Sequence, residues 1–241
     1  FLKEINADIK LKKIKKGNLI SIKGQKNLYG FNYTVGSDPS SAAFLIALTL
    51  LTPKSKLVIH NILCNDTRIF FLKILKKANA NIKINNLRKV SGELVGSITV
   101  FNSKLKPIVI SRDIGKFIDE LPILFIIAAL TKGVSKFKNI GDLKNKESNR
   151  LLESKKILVQ AGVKCKITKD AMTIYGKKKI ETKNKSILVK AKGDHRICMS
   201  SAILGLITGI RTKINNFETV NTSFPGFISL MKNLGGKIVI E

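Results

Sequence analysis

Lys144-Asn145-Lys146-Glu147-Ser148-Asn149-Arg150 places three cations and a carboxylate in seven residues, just before a helical pattern carried by Leu151, Leu152, Ile157 and Leu158. A helix N-terminus attracts anions through its unpaired N–H groups and its dipole. Lys146 and Arg150 lie four residues apart, so on a helical start they share one face. Lysine contributes a point charge and arginine a planar fork, the two usual ways of holding a phosphate or carboxylate. Glu147 between them is a candidate proton carrier. Taken alone, the stretch reads as a solvated charge cluster. Its recurrence along the chain changes that reading.

Outward from this stretch, the same order of elements returns three times. Gly36-Ser37-Asp38-Pro39-Ser40-Ser41 opens an apolar helix over 42–51, with Asp38 suited to the N-cap and Pro39 to the first turn. A strand over 56–62, Asn65-Asp66-Thr67-Arg68, a helix over 69–78 and a strand over 81–84 follow. Asp119-Glu120-Leu121-Pro122 opens the next apolar helix, to Leu130, with a strand over 134–140, the charged stretch, a helix over 151–160 and a strand over 163–167. Gly193-Asp194-His195-Arg196 opens the third, to Ile207, with a strand over 212–217, a helix from Thr222-Ser223-Phe224-Pro225 to Asn233 and a strand over 237–240. The second-helix endings line up as INADIKL, ANANIKI, QAGVKCKI and LGGKIVI, the first being the tail of a unit whose head is missing. Residues 1–11 thus read as a helix end, turn and strand, with strands continuing over 14–22 and 29–35.

Three such units can close around a shared helical core. Their polar helix starts would then converge, bringing together Asp38, Asp119, Asp194, Arg68, Lys146, Arg150 and Arg196. Any one of these aspartates is accounted for as a plain N-cap, and His195 as a helix-start residue. Asp119-Glu120 before a fully apolar helix and beside cations suits proton transfer better than capping.

The chain of 241 residues is 44% hydrophobic, enough for one large or two ordinary domains. Its formal charge of +28 admits a nucleic-acid or anionic-membrane partner. The lysines are spread throughout, however, and only 6% of residues are aromatic, so a Lys/Ile/Asn compositional bias is preferred over a nucleic-acid surface. Arginine occurs only at positions 68, 88, 112, 150, 196 and 211, so an arginine at a motif position carries information. Cys64, Cys165 and Cys198 with His60 and His195 have no zinc spacing and fit a reducing, cytoplasmic setting. The apolar run over 121–130 is too short to span a bilayer. No leader is visible, and the chain begins at Phe1 inside a pattern under way, so a longer protein lacking its N-terminal part is expected.

The ordered set DPSSAAF, DELPIL, KNKESNR, GDHR and TSFPGF resembles the 5-enolpyruvylshikimate-3-phosphate synthase family over essentially the whole chain, as its C-terminal half or slightly more. The resemblance implies an α/β (α+β) enolpyruvyl transferase fold of repeated βαβαββ units about a pseudo-threefold axis. It implies that residues 1–36 end a first domain and that 37–241 form most of a second. It implies transfer of the enolpyruvyl group of phosphoenolpyruvate to the 5-hydroxyl of shikimate 3-phosphate with release of phosphate, without metal or organic cofactor, in a bacterial cytoplasmic enzyme that is monomeric at full length. By that similarity Asp119 holds the substrate hydroxyl and accepts its proton, and Glu147 is the second proton-handling carboxylate. Lys146 lies near the reacting oxygens, and Arg150 and Arg196 clamp phosphoenolpyruvate.

Asn149 stands where many members carry Asp, and Thr222 where many carry a phosphoenolpyruvate-binding Lys. The family's N-terminal Lys-Ser-Arg contacts, Asn-Ala-Gly-Thr loop and Ser-Gln pair have no counterpart, so the chain alone is expected to be inactive. Two other readings stay open: a UDP-N-acetylglucosamine enolpyruvyl transferase-like enzyme, and a basic nucleic-acid-binding module.

Overall fold

A computed structural model describes residues 2–182 and 184–240; Phe1 and Glu241, the outer ends of the two expected domains, lie outside the described residues. The chain opens with an antiparallel hairpin of β1 (Asp8–Ile14) and β2 (Gly17–Lys23). The first unit follows: α1 (Pro39–Leu51), β3 (Lys56–Leu63), α2 (Phe70–Lys77), β4 (Asn81–Val90) and β5 (Glu93–Phe101). Its sheet has the order β3-β5-β4, all antiparallel, and a parallel bridge from Ser37 to Ile62 stands where a leading strand would be. The second unit is complete: β6 (Val109–Ile110), α3 (Leu121–Ala129), β7 (Gly133–Phe137), α4 (Arg150–Gln160), β8 (Lys164–Ile167) and β9 (Met172–Gly176). Its order is β6-β7-β9-β8, parallel only between β6 and β7. The third unit has β10 (Ile187–Lys190), α5 (His195–Thr208), β11 (Thr212–Asn215) and α6 (Phe227–Asn233), with β10 and β11 parallel.

The first helix of each unit is the apolar one, and α1, α3 and α5 pack on one another. All nine residues of α3 are buried, as expected of a helix hydrophobic all round. α2 instead buries one stripe, Phe71, Leu72, Ile74 and Leu75, and leaves its lysines outside. One continuous core results, from Ala42 through Phe125 to Met231.

Three local expectations need correction. Residues 29–35 and 237–240 are strand-like in sequence but form no ladder among the described residues. A strand exists through its pairing, and these segments leave Val35, Val239 and Ile240 exposed. The last helix does not open at Thr222, because residues 217–222 form a 3-10 turn and Gly226, at φ +82°, sets a later start. Lys146 is not on the face of α4 either. The helix begins at Arg150, with Asn149 as its N-cap, and Lys146 is extended.

Close approach fixes one glycine. A Cβ at Gly176 would run into the carbonyl oxygens of Ala128 and Thr131, where β9 meets the end of α3. We expect Gly176→Ala to cost about 1–3 kcal/mol through overpacking. Gly24→Ala, with nothing near its would-be Cβ, should stay within about 0.5 kcal/mol. Urea unfolding of both variants checks this, and equal midpoints would count against the packing described.

Candidate functional site

The site is built from helix starts that the fold brings together. Asp38 caps α1, accepting from the backbone N–H groups of Ser40 and Ser41. Asp194 caps α5 in the same way with Oδ1, at 3.0 Å from Arg196 N and 3.3 Å from Ile197 N. Its other oxygen, Oδ2, accepts from Ser148 Oγ at 2.9 Å and from Arg150 Nε at 2.8 Å. Asp194 and Arg150 are both fully buried, at 0% exposure. Burial alone would push the Asp194 carboxyl up. The Arg150 guanidinium and the Ser148 hydroxyl reverse that and hold it below the ordinary 3.8.

Arg150 turns its remaining nitrogens toward the opening. Nη1 donates to Asp119 Oδ1 at 2.8 Å and Nη2 to Glu147 Oε2 at 2.6 Å. Lys146 Nζ reaches the same Asp119 oxygen at 3.1 Å. The guanidinium thus has each of its three nitrogens on a carboxylate, one at its buried edge and two that are nearly half exposed. Asp119 is partly buried, which favours its neutral form, yet Arg196, Lys146 and Arg150 together lower its pKa. Arg196 lies across from Arg150, with Nη1 donating to the Asp119 carbonyl at 3.0 Å.

All five predicted site residues, Asp119, Lys146, Glu147, Arg150 and Arg196, therefore meet in one network. Asp119 lies inside the 3-10 turn Ile118–Glu120 and Lys146 is extended, so neither caps an α-helix. Arg68 and Asp38 pair with each other at 2.6 Å, to one side. A small open cavity there is lined by Ser40, Thr67, Arg68, Lys116, Asp119 and Glu120. His195 begins α5 half-buried. Burial first, and then the Arg196 guanidinium, lower its pKa below the ordinary 6.5, with Asp194 and Glu147 opposing. Sequence reasoning assigned no role to Ser148 or Ser40. Their partners, Asp194 and Glu120, lie 46 and 80 residues away, and no local pattern encodes such pairings. Among the described residues no helix is long and apolar enough to cross a membrane.

The Asp194 carboxylate binds protons less readily folded than unfolded, so its ionisation contributes stability above the ordinary 3.8 that is lost as pH falls. Wild-type melting temperature should drop between about pH 5 and pH 2. Asp194→Asn should cost about 3 kcal/mol at pH 7, because it uncouples a buried pair, and should flatten that pH dependence. Circular dichroism melts across the range check this; parallel curves for the two proteins would refute the assignment.

The model of the EPSP synthase (3-phosphoshikimate 1-carboxyvinyltransferase) family matches residues 1–231. A 3-phosphoshikimate 1-carboxyvinyltransferase of Campylobacter jejuni (serotype O:23/36, strain 81-176) is 39% identical over 214 residues, covering 89% of this chain and 48% of the relative. That of Helicobacter pylori strain G27 is 36% identical over 236 residues, covering 95% and 54%. An EPSP synthase structure from Acinetobacter baumannii superposes with a TM-score of 0.85 at 34% identity, covering 98% of this chain and 53% of that one. The enolpyruvyl transferase NikO from Streptomyces tendae shares the fold, at TM-score 0.71 and 13% identity. The chain spans about half the length of the curated relatives it matches. With a family match over nearly its whole length and relatives this similar in sequence and architecture, the chain belongs to the EPSP synthase family.

Proposed function

We propose that the chain supplies the C-terminal part of an active site that moves the enolpyruvyl group of phosphoenolpyruvate onto the 5-hydroxyl of shikimate 3-phosphate and releases phosphate. The observation that carries this is the Asp119 carboxylate held by Lys146 and Arg150, with Arg196 on its carbonyl. Both substrates are polyanions, and cations at converging helix starts suit them. The hydroxyl must lose a proton and the enol carbon must gain one. Asp119 takes the first role and Glu147 the second.

The surrounding cations make free Asp119 a weak base. An anionic substrate placed among Lys146, Arg150 and Arg196 offsets their charge and raises the proton affinity of Asp119 as the reactants arrive. In this reading Arg150 and Lys146 exchange Asp119 or Glu147 for ligand oxygens, while Arg150 Nε stays on Asp194. The same preorganised charges then stabilise the tetrahedral intermediate.

Residues 37–241 form the second domain in this proposal and 1–36 the end of the first. The hairpin supports that division. Ile9 pairs with Ile22 and Leu11 with Ile20 on one face, and Leu11, Ile20 and Ile22 are each more than 60% exposed. An isolated two-stranded ribbon is marginal in water, so this apolar face is where the preceding part of the first domain packs.

Phosphate release from the two substrates tests the reading. The chain alone should be silent, and turnover should appear when it is mixed with the N-terminal half of a close relative. Asp119→Asn and Arg196→Ala should each reduce that turnover by about 100-fold or more. A folded, associated mixture with no turnover would overturn the proposal. Leu11→Lys with Ile20→Lys should abolish association, read by sedimentation, and leave the urea midpoint of the chain unchanged.

A further inference from the structure

Glu120 is buried to 5% exposure at the end of the 3-10 turn Ile118–Glu120 that leads into α3. Its Oε1 accepts from Ser40 Oγ at 2.6 Å, a buried hydrogen bond between the starts of α1 and α3. The same oxygen lies 3.7 Å from Arg196 Nη1, too far for a hydrogen bond but close for two charges. Ser40 is itself fixed, since its backbone N–H binds Asp38, which caps α1. A fixed hydroxyl thus aims a carboxylate at the guanidinium on the start of α5.

The two arginines of the site are held very differently. Arg150 has all three nitrogens on carboxylates. Arg196 has only Nη1 engaged, on the Asp119 carbonyl, and its Nε and Nη2 carry no hydrogen bond among the described residues. At 16% exposure, its side chain retains some access to solvent. Arg196 therefore keeps donors for an incoming anion, and among the described residues Glu120 is the carboxylate within ion-pair distance of it.

A buried carboxylate is a costly way to satisfy one serine hydroxyl, because a neutral acceptor would do so without desolvating a charge. Burial does push the Glu120 carboxyl up, with Ser40 and Arg196 opposing. The charge matters only if it acts on a neighbour, and Arg196 is that neighbour. We propose that Glu120 is a positioning residue: braced by Ser40, it keeps Arg196 Nη1 on the Asp119 carbonyl, so that the other donors of that guanidinium are preorganised for a carboxylate or phosphate of the substrate. An arginine held in place loses less conformational freedom on binding than a loose one. The hold is also on the atoms of Asp119 itself, so ligand site and proton acceptor are kept in fixed relation.

This inference deepens the proposed function, and it has a reading of its own. In the mixture with the N-terminal half, Glu120→Gln keeps an acceptor for Ser40 and removes the charge. The Michaelis constant for phosphoenolpyruvate should rise about tenfold, while that for shikimate 3-phosphate changes less than twofold. The urea midpoint should not fall, since a buried charge has been removed. Ser40→Ala, which frees the carboxylate, should move the phosphoenolpyruvate constant in the same direction by about threefold. Glu120→Gln with an unchanged constant in a folded protein would overturn the proposal. Equal losses for both substrates, or loss tracking a lowered midpoint, would also overturn it, by marking a general structural role. If the wild-type mixture does not turn over, the function fails and Glu120 is still tested. The nitrogen-15 signal of the Arg196 Nε–H, assigned by its disappearance in Arg196→Lys, should shift in Glu120→Gln of the chain alone. An unmoved signal would sink the positioning role.

Discussion

The buried contact between Arg150 Nε and Asp194 Oδ2 is the constraint on which the rest of the site depends. Both residues are buried, and Arg150 is the cation paired with Asp194 among the described residues, so losing the arginine would leave a carboxylate charge uncompensated in the core. Asp194 also caps the helix that carries Arg196, and Arg150 is the first residue of α4. One ion pair therefore locks two helix starts from different units at a fixed distance. Ser148 adds a neutral donor on the same oxygen, so the carboxylate is satisfied from both sides, as a buried ion must be.

That lock explains how an apolar core can end in a charged surface without a disordered boundary. α1, α3 and α5 are buried nearly all round, and their polar ends emerge together. Three side-chain contacts at this end each join two units. Ser40 with Glu120 ties the first to the second, Arg196 with Asp119 the third to the second, and Arg150 with Asp194 the second to the third. Shared contacts of this kind give the charges fixed positions before any ligand arrives, which is the condition for electrostatic preorganisation.

The alternation of apolar and polar residues, the capping aspartates and the repeated helix endings were enough to place the units and their order, because those signals are local. Elements that exist only through partners were not legible. Residues 237–240 carry a strand pattern and find no ladder. Lys146 and Arg150 were expected to meet as neighbours on a helix. They meet instead on one oxygen of Asp119, with Lys146 outside the helix. The i, i+4 spacing does not place them on one helix face, because α4 starts only at Arg150. The stretch read alone suggests a solvated cluster, whereas Arg150 is buried against Asp194, 44 residues on.

In so basic a chain the cations are the weak signal and the acids the strong one. Forty-four lysines and arginines stand against sixteen aspartates and glutamates, so a cation anywhere on the surface is expected from composition alone. A carboxylate beside two arginines is not. Four of those sixteen acids, Asp119, Glu120, Glu147 and Asp194, lie within ion-pair distance of Arg150 or Arg196. They fall into three environments: Asp194 is sealed and paired, Glu120 is buried beside a neutral donor, and Asp119 and Glu147 are nearly half exposed. Burial raises Glu120 while the cations lower Asp119, so adjacent residues in sequence are driven apart in proton affinity.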